Sequence, residues 1–108
     1  MDSTLLAALL EKAKTTLRIT TEAFDDEIED IIQAGYYDLT TRGVTMVTDD
    51  EQNLHPLIVR AIMTYVRLHF GDPDNPQRLK ESYDEQKGQL MITSGFTNWE
   101  GERWTDRA

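Results

Sequence analysis

Between Thr21 and Leu39 the chain carries seven acidic residues and no Lys or Arg, yet Phe24, Ile28, Ile31, Ile32 and Leu39 recur with helical spacing. A helix with one apolar and one uniformly negative face must bury the first against another element. The second is left to water or to a cationic partner. Acids in its first turns suit the positive end of the helix dipole. The pattern predicts a helix from residues 23–26 to about 41. Gly35 inside it costs about 1 kcal/mol relative to Ala, which marks a close approach by another backbone.

The rest of the chain supplies the partners. Leu5, Leu6, Leu9, Leu10, Ala13 and Leu17 share one face of a helix expected over residues 4–16. Glu11 and Lys14 are placed as an i,i+3 pair on it. The run Arg18-Ile19-Thr20-Thr21 then favours a cap over further helix. Pro56 suits a first helical position. Leu57, Ile58, Ala61, Ile62, Tyr65, Val66, His69 and Phe70 follow as the broadest apolar surface, the expected central helix, which Gly71 stops. Asn75 is placed as the cap of a last helix opened by Pro76, with a thin stripe of Leu79, Tyr83, Gln86 or Lys87, and Leu90. Residues 44–52 read as a loop in which Val44 and Met46 alternate as in a short extended piece. The expectation is an all-α fold: a small bundle of about four helices over residues 1–92, followed by a non-helical, extended aromatic arm over residues 93–108.

At 108 residues one domain is the default. The hydrophobic fraction of 39% is modest for a self-sufficient core, which points to stability borrowed from neighbours. The absence of cysteine excludes disulfides and thiolate zinc sites and fits a reducing compartment. No apolar run is long enough to span a membrane, and Leu5 to Leu10 lacks the basic flank and cleavage site of a signal peptide. The net charge of −9 is uneven: ten acids against Arg42 alone between residues 21 and 51, but eight acids and seven bases after residue 51. Such a surface does not grip duplex DNA by neutralising phosphates. It is compatible with a protein that surrounds DNA without holding it.

No set of residues with catalytic spacing appears, and the chain reads as a non-enzyme with no cofactor. His55 and His69 fall short of the three or four converging ligands that zinc needs; they read as a helix-opening residue and a half-buried core residue. Asp25, Asp26, Glu29 and Asp30 form i,i+4 carboxylate pairs that could hold a hard divalent ion, but a solvated or docking face is the commoner use of such a run. Asp72-x-Asp74 begins like a calcium loop, and Pro76 breaks the pattern. Phe96, Trp99 and Trp104 stand in a glycine-interrupted tail. Aromatic residues there are expected to dock, on a neighbouring or partner subunit in preference to their own.

The order of these features resembles a known family. A leading helix ends in Leu17-Arg18-Ile19-Thr20. Then come Phe24-Asp25-Asp26-Glu27-Ile28-Glu29-Asp30-Ile31-Ile32, an acidic loop, the run from Pro56 to Gly71, an Asp-, Asn- and Pro-rich turn, and Arg78-Leu79-Lys80-Glu81-Ser82-Tyr83. Over roughly residues 5–92 the chain resembles the head–tail connector (adaptor), or DNA-packaging, proteins of tailed bacteriophages and prophages. The resemblance implies a structural protein made in the bacterial host cytoplasm and located in the virion at the head–tail junction. It implies a self-associated ring of about twelve subunits below the portal protein. That ring extends a channel through which DNA passes without sequence-specific binding, and serves as a platform for a head-completion or tail protein.

In such a ring the acidic face either lines the channel or meets basic residues of the next subunit. The second use is favoured for Asp25, Asp26, Glu29 and Asp30, with Arg60, Arg67, Arg78, Lys80 and Lys87 as candidate partners. The alternative function is an acidic inhibitor or DNA mimic that blocks a nucleic-acid-binding protein. A metal-dependent enzyme using the acidic cluster is the third.

Overall fold

The computed structural model describes residues 3–41 and 54–92. They form four helices and no strand: α1 (Ser3–Leu17), α2 (Asp25–Thr41), α3 (Pro56–His69) and α4 (Pro76–Ile92). The expected all-α architecture is therefore observed, with each helix within two residues of its expected limits. The extended piece proposed at Val44 and Met46, and the arm over residues 93–108, lie outside the described residues.

Helix α3 is the hub and packs against each of the other three, while α1 also packs on α2. Its sequence explains the role. Ala61, Ile62, Met63 and Thr64 are consecutive, so they point all round the helix, and all four are buried. The buried hydroxyl of Thr64 donates to the Arg60 carbonyl at 3.1 Å, so it adds no unpaired polar group. Ile28, Ile32 and Leu39 of α2 and Ile58, Ile62 and Val66 of α3 are wholly buried. Leu9, Leu10 and Ala13 of α1 close one side. Helix α4 contributes only Tyr83 and Leu90, which fits its thin stripe.

Three residues depart from their expected faces. Phe24, which precedes the first residue of α2, is 42% exposed. Leu57, next to Ile58 and so turned about 100° from it, is 51% exposed. His69 is exposed too, and its ring rests against Tyr65 with centroids 4.2 Å apart.

The helix ends are built from local signals. The Arg18 N–H donates to the Thr15 carbonyl and the Ile19 N–H to the Lys14 carbonyl, the paired bonds that terminate many helices. This places Arg18 at φ 60°, a left-handed conformation that costs a residue with a Cβ about 1–2 kcal/mol. Replacing Arg18 with Gly is expected to raise the unfolding free energy by about 1 kcal/mol, part of the relief being lost to the greater freedom of the unfolded glycine. Urea denaturation with an unchanged slope checks it. Thr21 Oγ1 accepts from the Ala23 N–H in the turn before α2. His55 opens α3 by accepting the Leu57 N–H on Nδ1. Asn75 caps α4 through the Arg78 N–H at 3.2 Å. Helix α3 ends on extended Phe70, and Gly71 follows at φ 67°.

Candidate functional site

The acids of α2 divide into those with partners inside the chain and those facing outward. Asp25 meets Lys14 of α1 at 2.9 Å, with both side chains largely covered. This bond is the chief reason the Lys14 ammonium is held above its usual pKa, against an opposing desolvation. Lys14 therefore ties α1 to α2, where the sequence had placed it with Glu11.

At the far end of α2, Asp38 Oδ2 accepts from two groups of α4, the Tyr83 hydroxyl at 2.6 Å and Lys87 Nζ at 3.0 Å. The Lys87 ammonium also stands 4.9 Å from the centre of the Tyr83 ring. Tyr65 of α3 packs on the same ring with centroids 5.1 Å apart. The carboxylate ties α2 to α4, and the ring contact brings in α3.

Burial, followed by the Asp38 hydrogen bond and charge, pushes the Tyr83 phenol far above its usual value. Burial, and then the Asp38 charge, raises Tyr65. The sign of the pH effect follows. A phenol held neutral in the fold stabilises it fully below the unfolded value of about 10. Above that pH the unfolded chain gives up its proton while the fold retains it, so stability is lost as pH rises. Unfolding free energies from urea titrations are expected to be flat up to about pH 9 and to fall above about pH 10.

Asp26, Glu27 and Asp30 are exposed and Glu29 is half-buried, and the ion pairs among the described residues engage none of the four. They are the outward acidic face. Among the candidate bases, Lys87 has its partner within the chain. Lys80 pairs with Asp84 at 3.0 Å, but both are well exposed, so water screens the bond and its value is small. Arg60, Arg67 and Arg78 are exposed. Arg67 and Arg78 come together at one cleft, of about 730 Å³, where the ends of α1 and α3 meet the start of α4. Arg60 stands apart from them, beside Leu57 and Glu85 in a groove between α3 and α4. Phe96, Trp99 and Trp104 lie outside the described residues.

Among the described residues no group of three or more His, Asp or Glu is placed to hold a metal ion. No described helix is long and apolar enough to cross a membrane. Sequence reasoning missed the Asp38 cluster and the Lys14–Asp25 bond. The one available signal for Asp38 was its position, eight residues past Asp30 and isolated from the other acids of α2.

Four short helices round a single core, with their free charge on outer faces, define a small all-α domain that presents surfaces. The chain belongs to the phage connector protein family, whose model matches residues 9–97. No curated protein and no solved structure matches it. The resemblance read from the sequence is thereby borne out, and membership makes the chain a component of the virion.

Proposed function

We propose that this phage connector is a head–tail adaptor subunit. It closes into a ring below the portal, extends the channel for DNA and offers the platform on which a head-completion or tail protein assembles. The family match over residues 9–97 is the observation that carries this reading. Two features of the subunit support it. Exposed acids on α2 and exposed arginines on α3 and α4 give one subunit charged groups of both signs on different helices, of the kind a head-to-tail contact between identical copies uses to set orientation. The net charge of −9 repels phosphates, so DNA would slide through such a ring without being held.

The test is the mass of the purified protein across concentration, by sedimentation with negative-stain imaging, and capture by an immobilised portal protein. Rings of about twelve subunits, or assembly on the portal, are expected. Because exposed charge pairs are screened by salt, the association should weaken as ionic strength rises. A monomer that ignores the portal and binds a basic nucleic-acid-binding protein would replace this reading with the acidic mimic.

A further inference from the structure

The cleft beside the turn between α3 and α4 has the chemistry of a seat for an aromatic, acid-bearing segment. Leu17, Phe70 and Leu79 give it an apolar floor, one residue from each of three helix ends. Phe24, 42% exposed, packs edge-on against Phe70 with ring centroids 5.6 Å apart. Arg67 and Arg78 line the same cleft, with Asp72 and Asp74 on the turn.

A segment of this chain matches that surface. Both tryptophans of the protein, Trp99 and Trp104, fall within residues 93–108, with Glu100 and Glu102 between them and Arg103 directly after. Tryptophan is the best aromatic partner for a guanidinium, and Trp and Arg are the commonest anchors of protein interfaces. Glu100 and Glu102 complement Arg67 and Arg78, and Arg103 complements Asp72 and Asp74.

Length bears on whose segment it is. The cleft lies toward the Pro76 end of α4, where Leu79 lines it, and the segment leaves from Ile92, 13 residues further on and about 20 Å along the helix. Trp99 follows Ile92 by seven residues, which span at most about 25 Å when fully extended. Reversing direction consumes much of that reach, so seating Trp99 in a subunit's own cleft demands a nearly fully extended return, whereas an adjacent copy supplies it without that constraint. We propose that residues 93–108 of one subunit dock on the next, with Trp99 on the floor formed by Leu17, Phe70 and Leu79 and Glu100 and Glu102 on Arg67 and Arg78. This deepens the ring reading and rests on it only in requiring a second copy.

The full-length protein carries its own probe, because tryptophan emission comes from this segment alone. The emission is expected to shift to the blue as concentration rises, in step with the mass from sedimentation. Arg67→Glu combined with Arg78→Glu is expected to move the midpoint at least tenfold higher in concentration, with circular dichroism unchanged. The cysteine-free chain allows a second measurement that needs no charge reversal: Ser82→Cys chains mixed with Asn98→Cys chains should yield mixed disulfide dimers on oxidation. Blue emission independent of concentration, a shift unmoved by the charge reversal, or the absence of mixed dimers would overturn the proposal. Rings that form while the emission stays red would overturn this seat and leave the ring standing. A monomer with red emission that also ignores the portal would remove both.

Discussion

Replacing Asp38 with alanine is expected to lower the unfolding free energy by about 3 kcal/mol, because two half-buried donors lose their shared acceptor at once. The Tyr83 residue is only 4% exposed and its hydroxyl donates to Asp38 at 2.6 Å. Truncation leaves that hydroxyl without its acceptor, a loss of about 1–3 kcal/mol. The Lys87 side chain is 16% exposed, and without the carboxylate its ammonium must swing out to water or remain unpaired. Asp38→Asn keeps an acceptor for Tyr83 and removes only the charge, so a smaller loss of about 1 kcal/mol is expected. It should also let Tyr83 ionise at lower pH, since the Asp38 charge is one of the causes of its raised value. Combining Asp38→Ala with Tyr83→Phe should cost less than the sum of the two single changes, because the orphaned hydroxyl is gone. Chemical denaturation of the four proteins measures this. An Asp38→Ala protein within about 0.5 kcal/mol of the parent, the range of ordinary surface changes, would show that the cluster does not hold the helices together.

That cluster also shows where the sequence stops being legible. Helices α2 and α3 were visible because their signals are local: apolar residues repeat every three or four positions, and proline, glycine and asparagine mark the ends. Asp38 joins residues 45 and 49 positions further along the chain, and nothing near Asp38 announces either. Lys14 had an acid three residues away at Glu11, and the shape of the Arg18 turn delivered Asp25 instead. The apolar list for α3 included Leu57 and His69, since periodicity alone does not reveal how wide an arc of the helix its neighbours cover at each turn: Ile58 is wholly buried beside exposed Leu57. The candidate bases were likewise only a set of residue types. The fold gathers Arg67 and Arg78 at one cleft, places Arg60 in another groove, and engages Lys87 within the subunit. The family resemblance was legible because it lies in the order of elements, which local patterns preserve. The faces that meet other subunits depend on surfaces that a single chain does not complete.

Gly35→Ala is expected to destabilise the protein by up to about 2 kcal/mol, against the sign that helix propensity alone would give. Alanine within a helix is favoured over glycine by about 1 kcal/mol. A Cβ at position 35, however, would lie 2.9 Å from Cδ2, 3.1 Å from Cγ and 3.4 Å from Cβ of Tyr65. The glycine thus admits the root of a side chain, where the sequence had suggested another backbone. A root does not swing aside as a side-chain tip does: moving it means a new Tyr65 rotamer or a shift of α3 itself. The ring also packs against both Tyr83 and His69, and Tyr83 is in turn held by Asp38. Overpacking at such a place costs about 1–3 kcal/mol, which exceeds the propensity gain at all but its lowest values. Displacement of Tyr65 should also loosen the Asp38 cluster, so an Asp38→Ala change should cost less in the Gly35→Ala background than in the parent. The sharpest check reverses the sign. With Tyr65 replaced by Ala the obstruction is gone and only propensity remains, so Gly35→Ala should then stabilise the protein by up to about 1 kcal/mol. If Gly35→Ala stabilises the parent chain as well, the close contact between α2 and Tyr65 does not govern the packing of these helices.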